Sequence, residues 1–534
     1  MLSLKEKFNF DWQFLVLAGL AIVFFFVYSY LPLQAPEKFV SPDETANFVF
    51  IKTLAKEGVP RIYEPLNREV DNLIHPRSIN VYGDYLVPGS FLGLILIYGL
   101  LGKIFGLCVV SFLTPLLAIL AALFFYYLIK KIFSADVAFF SGLFLLIHPA
   151  FWYWTSRSLA NNVLFVSLVI GGLAILTVRK KKNELTFALG GLFFGLAAIV
   201  RTSEIVWLGF MLLALALIYR KYLSWRRIFV FIFFFVLVML PIFYYNQILY
   251  QSPFASGYSQ LQENLPPPRF FISKAQIKHF FFPFEVVSDN FLKNFFNYFV
   301  SFFLIYFIFF ILGTFLFIWR LKKEKRPQKI YFIFFLIISV YLIIYYGSWN
   351  FHDNLDPAKV TIGTSYVRYW LPVYIFSLPF VSLIFLAFLD IFKKKYLKLL
   401  IGGLAILILF VYSVNLVFSN EEGLLRIKEN LWDYQEKSKT IQRLTESNAV
   451  IVADRNDKTV FPERRAVSCL IADCPKFKSL GKLIERTPVY YYPSSLNFKA
   501  GEFNKNVLIK YGLEIDEGRA VKEKEKIYKF RIKN

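Results

Sequence analysis

Residues 12–45 read WQFLVLAGLAIVFFFVYSYLPLQAPEKFVSPDET. The apolar run from Trp12 to Leu31 is long enough to cross a bilayer as a helix. It is too long for a signal-peptide core, and no small-residue cleavage site follows it, so the reading is a retained helix. Directly after it stands an acid pair, Asp43-Glu44, in Ser41-Pro42-Asp43-Glu44-Thr45. Two adjacent carboxylates at the edge of a bilayer are costly to desolvate and rarely persist there without a task. The run sets the class of the protein, and the pair marks where its chemistry is to be sought.

The rest of the chain agrees with that class. Of its 534 residues, 57% are hydrophobic and 20% aromatic, which excludes an ordinary soluble globule. The formal net charge of +23 does not indicate nucleic acid. The basic residues gather at the ends of apolar runs: Lys130-Lys131, Arg179 to Lys182, Arg220-Lys221 with Arg226-Arg227, Arg320 to Lys329, and Lys393 to Lys395. That is the pattern of cytoplasmic loops, and no nucleic-acid fold signature accompanies it. The sequence has neither a P-loop nor a dinucleotide fingerprint, so no nucleotide cofactor is expected. It has no Cys/His metal-ligand spacing either, and leaves divalent-metal use open. Cys108 lies in an apolar run and reads as packing. Cys469 and Cys474 lie in a polar tail, where a disulfide and two free thiols are both open.

After the first run, spans are expected at about 137–154, 159–178, 184–200, 203–219, 228–246, 297–319, 330–347, 367–390 and 396–418. The basic clusters alternate across them with the N-terminus inside. Loop 32–83, the turn from Trp152 to Asn162, Arg201 to Glu204, loops 247–294 and 348–366, and the tail then lie outside. Residues 84–131 stay apolar where an odd number of crossings is required. An interfacial or re-entrant helix near 86–103 and one crossing at 107–131 satisfy the charges, giving 11 helices, or 13 with three crossings. The expected fold is thus mainly α and polytopic. Its transmembrane catalytic domain covers residues 1–419, and a small extracytoplasmic α/β domain covers 420–534. In that tail Ala449–Ala453, Val489–Tyr492 and Tyr528–Ile532 read as strands and Glu421–Glu446 as a helix. Gly191 and Gly195 form a G-x-x-x-G suited to close helix packing.

On this topology the unusual polar residues fall on one face. Asp43, Glu44, His75, Arg77 and Asp84 lie in the first outer loop. Arg157 and Asn161 follow Trp152-Tyr153-Trp154, and Arg201 and Glu204 share a short turn. His352, Asp353, Asp356, Lys359 and Arg368 lie in or beside a later loop. Acids beside fixed cations at a membrane surface suit a lipid-phosphate substrate. Arg and Lys hold a phosphate through charge-assisted bonds, and a carboxylate takes a proton from an attacking hydroxyl. Plainer readings stand beside these. Asp43 also reads as a helix N-cap and Glu44 as a first-turn complement to the helix dipole. Arg201 and Glu204 read as a mutual pair, Trp152 to Trp154 as an interfacial aromatic belt, His148 as a buried structural histidine, and Arg368 as a snorkelling arginine.

The chain resembles GT-C fold membrane glycosyltransferases, specifically the glycosyltransferase 39, protein O-mannosyltransferase and lipid A aminoarabinose transferase group. The resemblance rests on Ser41-Pro42-Asp43-Glu44 ahead of a short helix ending at Gly58, and on His75-Pro76-Arg77 leading into an apolar stretch with Pro88. It also rests on Pro149 to Arg157 ahead of Leu159-Ala160-Asn161-Asn162, on Gly191 to Arg201, and on Arg368-Tyr369-Trp370-Leu371-Pro372. It implies a polyprenyl-phosphate-linked sugar donor and a reaction on the outer face of a plasma membrane. It assigns Asp43 as catalytic base and places Arg368 near the donor phosphate. His75-Pro76-Arg77 departs from the double proline common in the group.

The expected activity is transfer of one sugar from a polyprenyl-phosphate donor to an acceptor hydroxyl on a glycan, lipid or protein. Asp43 and Glu44 are the candidate catalytic residues. His75, Arg77, Arg157, Arg201, His352, Lys359 and Arg368 are the candidates for holding the lipid phosphate. The rival readings are a lipid flippase or transporter, a non-catalytic scaffold, and a polysaccharide ligase using a diphosphate-linked donor.

Overall fold

The computed structural model describes residues 11–34, 38–178, 183–258, 281–282, 285–351, 353, 356, 359–469, 477–494 and 498–533. The chain divides into two compact units. One comprises Met1–Leu33, Ser111–Leu240 and Pro266–Arg426, the other Gln34–Val110, Pro241–Leu265 and Ile427–Asn534. The units are discontinuous in sequence and do not follow a single cut near residue 420. The first loop groups with the tail.

The first unit is helical and membrane-spanning in character. Helices Leu107–Ile132, Thr202–Tyr222, Trp225–Tyr250, Arg326–Gly347, Leu371–Asp390 and Lys395–Leu444 are long and apolar enough to cross a bilayer. Two bent pairs add to these: Ala135–Ile147 with Pro149–Ser156 at 50°, and Ser288–Ser301 with Leu304–Trp319 at 96°. Among the described residues, length and composition therefore support six to eight spans, fewer than the expected 11–13. The difference lies in shorter apolar helices, Trp12–Tyr28, Gly93–Phe105, Asn161–Thr177 and Glu184–Val200, which fall below the roughly 20 residues of a straight crossing. With these counted, the chain is the polytopic helical protein that the sequence predicts.

Local chemistry explains the breaks. His148-Pro149 ends one helix and starts the next. The His148 Nδ1 accepts from the Ala150 amide at 3.2 Å as N-cap, and Pro149 occupies the first helical position, where its missing N–H is harmless. His148 is buried, as expected of a structural histidine. A Cβ at Gly195 would meet the Phe235 carbonyl at 3.0 Å, so the G-x-x-x-G lets the Glu184–Val200 helix lie against the backbone of Trp225–Tyr250. Residues 84–131 resolve into a strand, the helix Gly93–Phe105 and the helix Leu107–Ile132, and Cys108 is exposed.

The second unit holds the sheets. Strands β1 (Ile62–Tyr63), β2 (Ile79–Tyr82) and β3 (Tyr85–Pro88) form an antiparallel sheet in the order β1-β3-β2. β1 and β2 fall in the expected loop 32–83, while β3 takes residues expected to begin a helix near 86–103, which starts only at Gly93. The tail adds β4 (Val450–Ala453), β5 (Arg465–Ser468), β6 (Val489–Tyr492), β7 (Leu513–Ile515), β8 (Arg519–Lys522) and β9 (Glu525–Ile532). Their order is β5-β4-β6-β9-β7, with β8 also on β9. β4 runs parallel to both β5 and β6, and β9 antiparallel to β6. The three predicted strands are present. β5, β7 and β8 were not foreseen, since they are short and carry charges. Val70, Leu73 and Ile74 from the first loop join Val450, Val452, Leu483, Tyr491 and Phe530 in one apolar core. Cys469 is disulfide-bonded, while Cys474 lies outside the described residues.

Candidate functional site

The acid pair sits on the first turn of the Pro42–Glu57 helix in the second unit. Ser41, not Asp43, is the N-cap: its hydroxyl accepts from the Asp43 amide at 3.2 Å. Glu44 closes the capping box by accepting from the Ser41 amide at 3.1 Å, so two terminal N–H groups are satisfied reciprocally. Pro42 fills the first helical position, and Gly58 ends the helix at φ 80°, where a residue without Cβ is unstrained. Glu44 is buried at 4% exposure, in the first-turn position where it closes the capping box. Asp43 projects from the same turn, and its Oδ1 accepts from the Ser78 hydroxyl at 2.5 Å. Ser78 itself lies at φ 62°, a left-handed conformation that a serine adopts only when its surroundings enforce it.

His75 and Arg77 flank this contact, each with a structural tie. The His75 carbonyl accepts from the Ser468 amide at 3.1 Å, and its Nδ1 lies 3.1 Å from the Pro76 carbonyl oxygen. The Arg77 guanidinium is engaged by Asp457, with Nη2–Oδ1 at 2.5 Å and Nε–Oδ1 at 3.1 Å. Arg77, expected at a substrate phosphate, here forms a forked ion pair with a carboxylate exposed by only 1%. Asp84 likewise pairs with Arg68. Glu64 meets Arg465 at 2.7 Å. Burial pushes the Glu64 carboxyl up, against the opposing pull of Arg465.

In the first unit three expected cations come together. The Arg157 guanidinium lies 4.7 Å from the Trp154 ring centre. Arg368 lies 5.5 Å from the same ring and 4.9 Å from Tyr369. Arg201 lies 4.7 Å from Tyr369. The result is a ladder in the order Arg157, Trp154, Arg368, Tyr369, Arg201, with rings alternating between guanidinium groups. Each such contact contributes about 0.5–2 kcal/mol. Arg201 also donates to Glu204 at 2.8 Å and to the Tyr346 hydroxyl at 2.9 Å, and Glu204 accepts from the Trp207 indole and from Tyr346. The predicted Arg201–Glu204 pair is therefore present, inside a buried network. Arg368 donates to Ser365 Oγ at 3.0 Å, and Ser365 in turn donates to Asp353 from its amide at 2.7 Å and its hydroxyl at 3.1 Å.

Trp152, Tyr153 and Trp154 are exposed by at most 2%. They are interior residues of this unit, not an outward-facing belt, because they carry the ladder and the packing around it. The Trp154 indole N–H is buried without an acceptor. Lys359 pairs with Glu421 at 2.9 Å on an exposed surface, and that hydrogen bond raises the lysine above its ordinary pKa. His352 lies outside the described residues. Among the described residues no three His, Cys, Asp or Glu side chains cluster as a metal site. An apolar cavity in the same unit is lined by Leu128, Ile132, Met211, Tyr331, Phe335 and Phe376 among others.

The sequence did not single out Ser78, Asp457, Tyr369 or Tyr346. Ser78 and Tyr369, which follow Arg77 and Arg368, stood where a local signal could have marked them.

No family profile and no curated protein sequence matches the chain. Solved structures do. The archaeal oligosaccharyltransferase AglB from Archaeoglobus fulgidus, in complex with an inhibitory peptide and a dolichol-phosphate, matches 94% of this chain and 71% of its own at 12% identity, with a TM-score of 0.55. ArnT from Cupriavidus metallidurans matches 96% of this chain and 97% of its own at 12% identity, with a TM-score of 0.54. ArnT bound to undecaprenyl phosphate matches with a TM-score of 0.53. Both are GT-C fold membrane glycosyltransferases, and this chain shares their fold.

Proposed function

We propose that the protein is an integral membrane glycosyltransferase that moves a sugar from a polyprenyl-phosphate donor to an acceptor hydroxyl on the outer face of the membrane. The observation that carries this reading is the ladder. Three guanidinium groups and an indole N–H lacking an acceptor lie in a unit made for the bilayer. A phosphate monoester or diester is a ligand that clustered guanidinium groups suit. The fold shared with a protein solved with undecaprenyl phosphate supports a polyprenyl carrier.

In this reading Asp43 is the general base. It takes the acceptor hydroxyl proton as that oxygen attacks the anomeric carbon. The bond from that carbon to the phosphate oxygen breaks, and polyprenyl phosphate leaves with the bonding electrons. Arg368 and Arg157 are the candidates of the first unit for holding a donor phosphate. Arg77, Lys359 and Arg201 have carboxylate partners and leave this group, and Glu44 serves the helix terminus.

The test is a transfer assay on detergent-purified protein with a panel of polyprenyl-phosphate sugars and candidate acceptors, with and without chelator, read by release of polyprenyl phosphate. Release from one donor that disappears in Asp43→Asn supports the reading and names the sugar. Wild-type turnover in Asp43→Asn removes Asp43 from the chemistry. The second reading is a ligase using a diphosphate-linked donor. Polyprenyl diphosphate as the released carrier would select it.

A further inference from the structure

The surroundings of Asp43 are set by a part of the chain far from it in sequence. Asp457 Oδ2 accepts from the Arg77 amide at 2.8 Å, while both its oxygens face the Arg77 guanidinium. Arg77 Nη2 also donates to the Arg455 carbonyl at 2.8 Å. The backbone and the side chain of Arg77 are therefore held by one short segment, and the next residue, Ser78, is the one whose hydroxyl meets Asp43. On the other flank Lys38, 5% exposed, donates to the carbonyls of Thr459 and Phe461 at 3.0 and 3.2 Å and to Glu463 at 2.6 Å. Lys458 donates to the Val40 carbonyl at 2.8 Å, just before the N-cap Ser41. Residues 455–463 thus grip the chain on both sides of Asp43, at positions 38–40 and at position 77.

The plain alternative is that these contacts only fasten a loop to its own domain. The second unit already has fasteners that do that. Val70, Leu73 and Ile74 are in its apolar core, Glu64 pairs with Arg465 and Glu69 with Arg486. The grip of residues 455–463 differs because it ends on the two segments that orient one carboxylate. Buried ion pairs with satisfied hydrogen bonds are weak sources of net stability, but they fix geometry. A displacement of about 1 Å at a reacting group lowers rate by about 10²-fold.

We infer that Asp457 is a positioning residue for Asp43, acting through Arg77 and Ser78. It reaches no substrate itself. This inference rests on the reading of Asp43 as the base.

The experiment compares wild type, Asp457→Asn, Asp457→Glu, Ser78→Ala and Arg486→Ala in full-length protein. It measures kcat and KM for the donor, and hydrogen exchange of the amides of residues 43–48. Asp457→Asn is expected to lower kcat by about 10- to 10²-fold with donor KM unchanged, and to speed exchange in that first helical turn. Asp457→Glu restores part of kcat. Arg486→Ala, which removes only an exposed pair, leaves both readouts at wild-type values. Unchanged kcat in Asp457→Asn overturns the inference, as does a rise in KM with no change in kcat. If Asp457→Asn does not fold, Ser78→Ala decides, and wild-type kcat there overturns the inference. If the wild type releases no carrier from any donor, the catalytic reading itself has failed. Exchange in Asp457→Asn then still tests the grip, and unchanged exchange overturns it.

Discussion

In the second unit Lys38, Arg77 and Arg465 each meet a carboxylate, at 2.6, 2.5 and 2.7 Å. In the membrane-spanning unit Arg157 and Arg368 share the Trp154 ring, Arg368 and Arg201 share the Tyr369 ring, and Glu204 is the carboxylate beside them. Ion pairs cancel charge and leave a fixed geometry. Aromatic faces hold a cation in place and leave its charge to act on whatever approaches. The same residue type therefore serves as a fastener in one unit and as a candidate anion receptor in the other. Position in sequence does not distinguish the two, because Arg77 and Arg368 both follow loop segments and precede apolar runs.

Four measurements probe this contrast beyond the Asp457 series. The largest effect is expected at Asp43, the one carboxylate of the second unit read as reactive: Asp43→Asn should lower turnover by about 10²–10⁴-fold with the thermal unfolding curve unchanged. Next is Glu204→Leu, which leaves the Arg201 guanidinium buried without its carboxylate. Breaking such a pair costs about 3–5 kcal/mol, so thermal stability in detergent should drop clearly. An unchanged curve would mean that the ladder does not need Glu204. Third, Arg368→Ala should weaken undecaprenyl phosphate binding, followed by tryptophan fluorescence. Hydrogen bonds to charged groups contribute about 1.5–3 kcal/mol, or roughly 10- to 10²-fold in affinity. Arg368→Lys should recover little, because an ammonium cannot stack between Trp154 and Tyr369 as a guanidinium does.

The smallest effect concerns Glu446, a fastener of the tail sheet. It accepts from Tyr490 at 2.7 Å and from Lys529 at 3.0 Å, residues paired across β6 and β9. Partial burial pushes its carboxyl up. The hydrogen bonds from its own amide, Tyr490 and Lys529 outweigh that and bring it down to about 2 from 4.5. A carboxylate depressed in the folded state stabilises above the unfolded pKa, and that contribution is lost as pH falls from about 4.5 toward 2. The group is 44% exposed, so screening keeps the effect small. Glu446→Gln should make thermal stability slightly less steep over that window, measured against wild type.

Much of the fold was legible because it is written in short windows. The apolar runs mark the helices, and the basic clusters lie at their ends. The helix start near Pro42 was legible, although its N-cap is Ser41 and not the expected Asp43. Val489–Tyr492 forms β6 at the expected bounds. The first-loop sheet was not legible, since β1 has only two residues and pairs with a strand beyond it. The site was legible in its residue types only: Arg157, Arg201 and Arg368 stood out as charges on apolar segments, without any indication that rings would link them.

The sequence by itself determined a polytopic helical protein with an acid pair at a helix start and a mixed α/β tail, because hydrophobic period and capping are local properties of the chain. The tertiary structure decided which charges are fasteners. Arg77 and Asp457 are 380 positions apart, and nothing in either neighbourhood specifies the other. Their meeting depends on the first loop and the tail sharing one apolar core, and burial of that core, summed over residues distant in sequence, is the long-range term that local patterns do not contain.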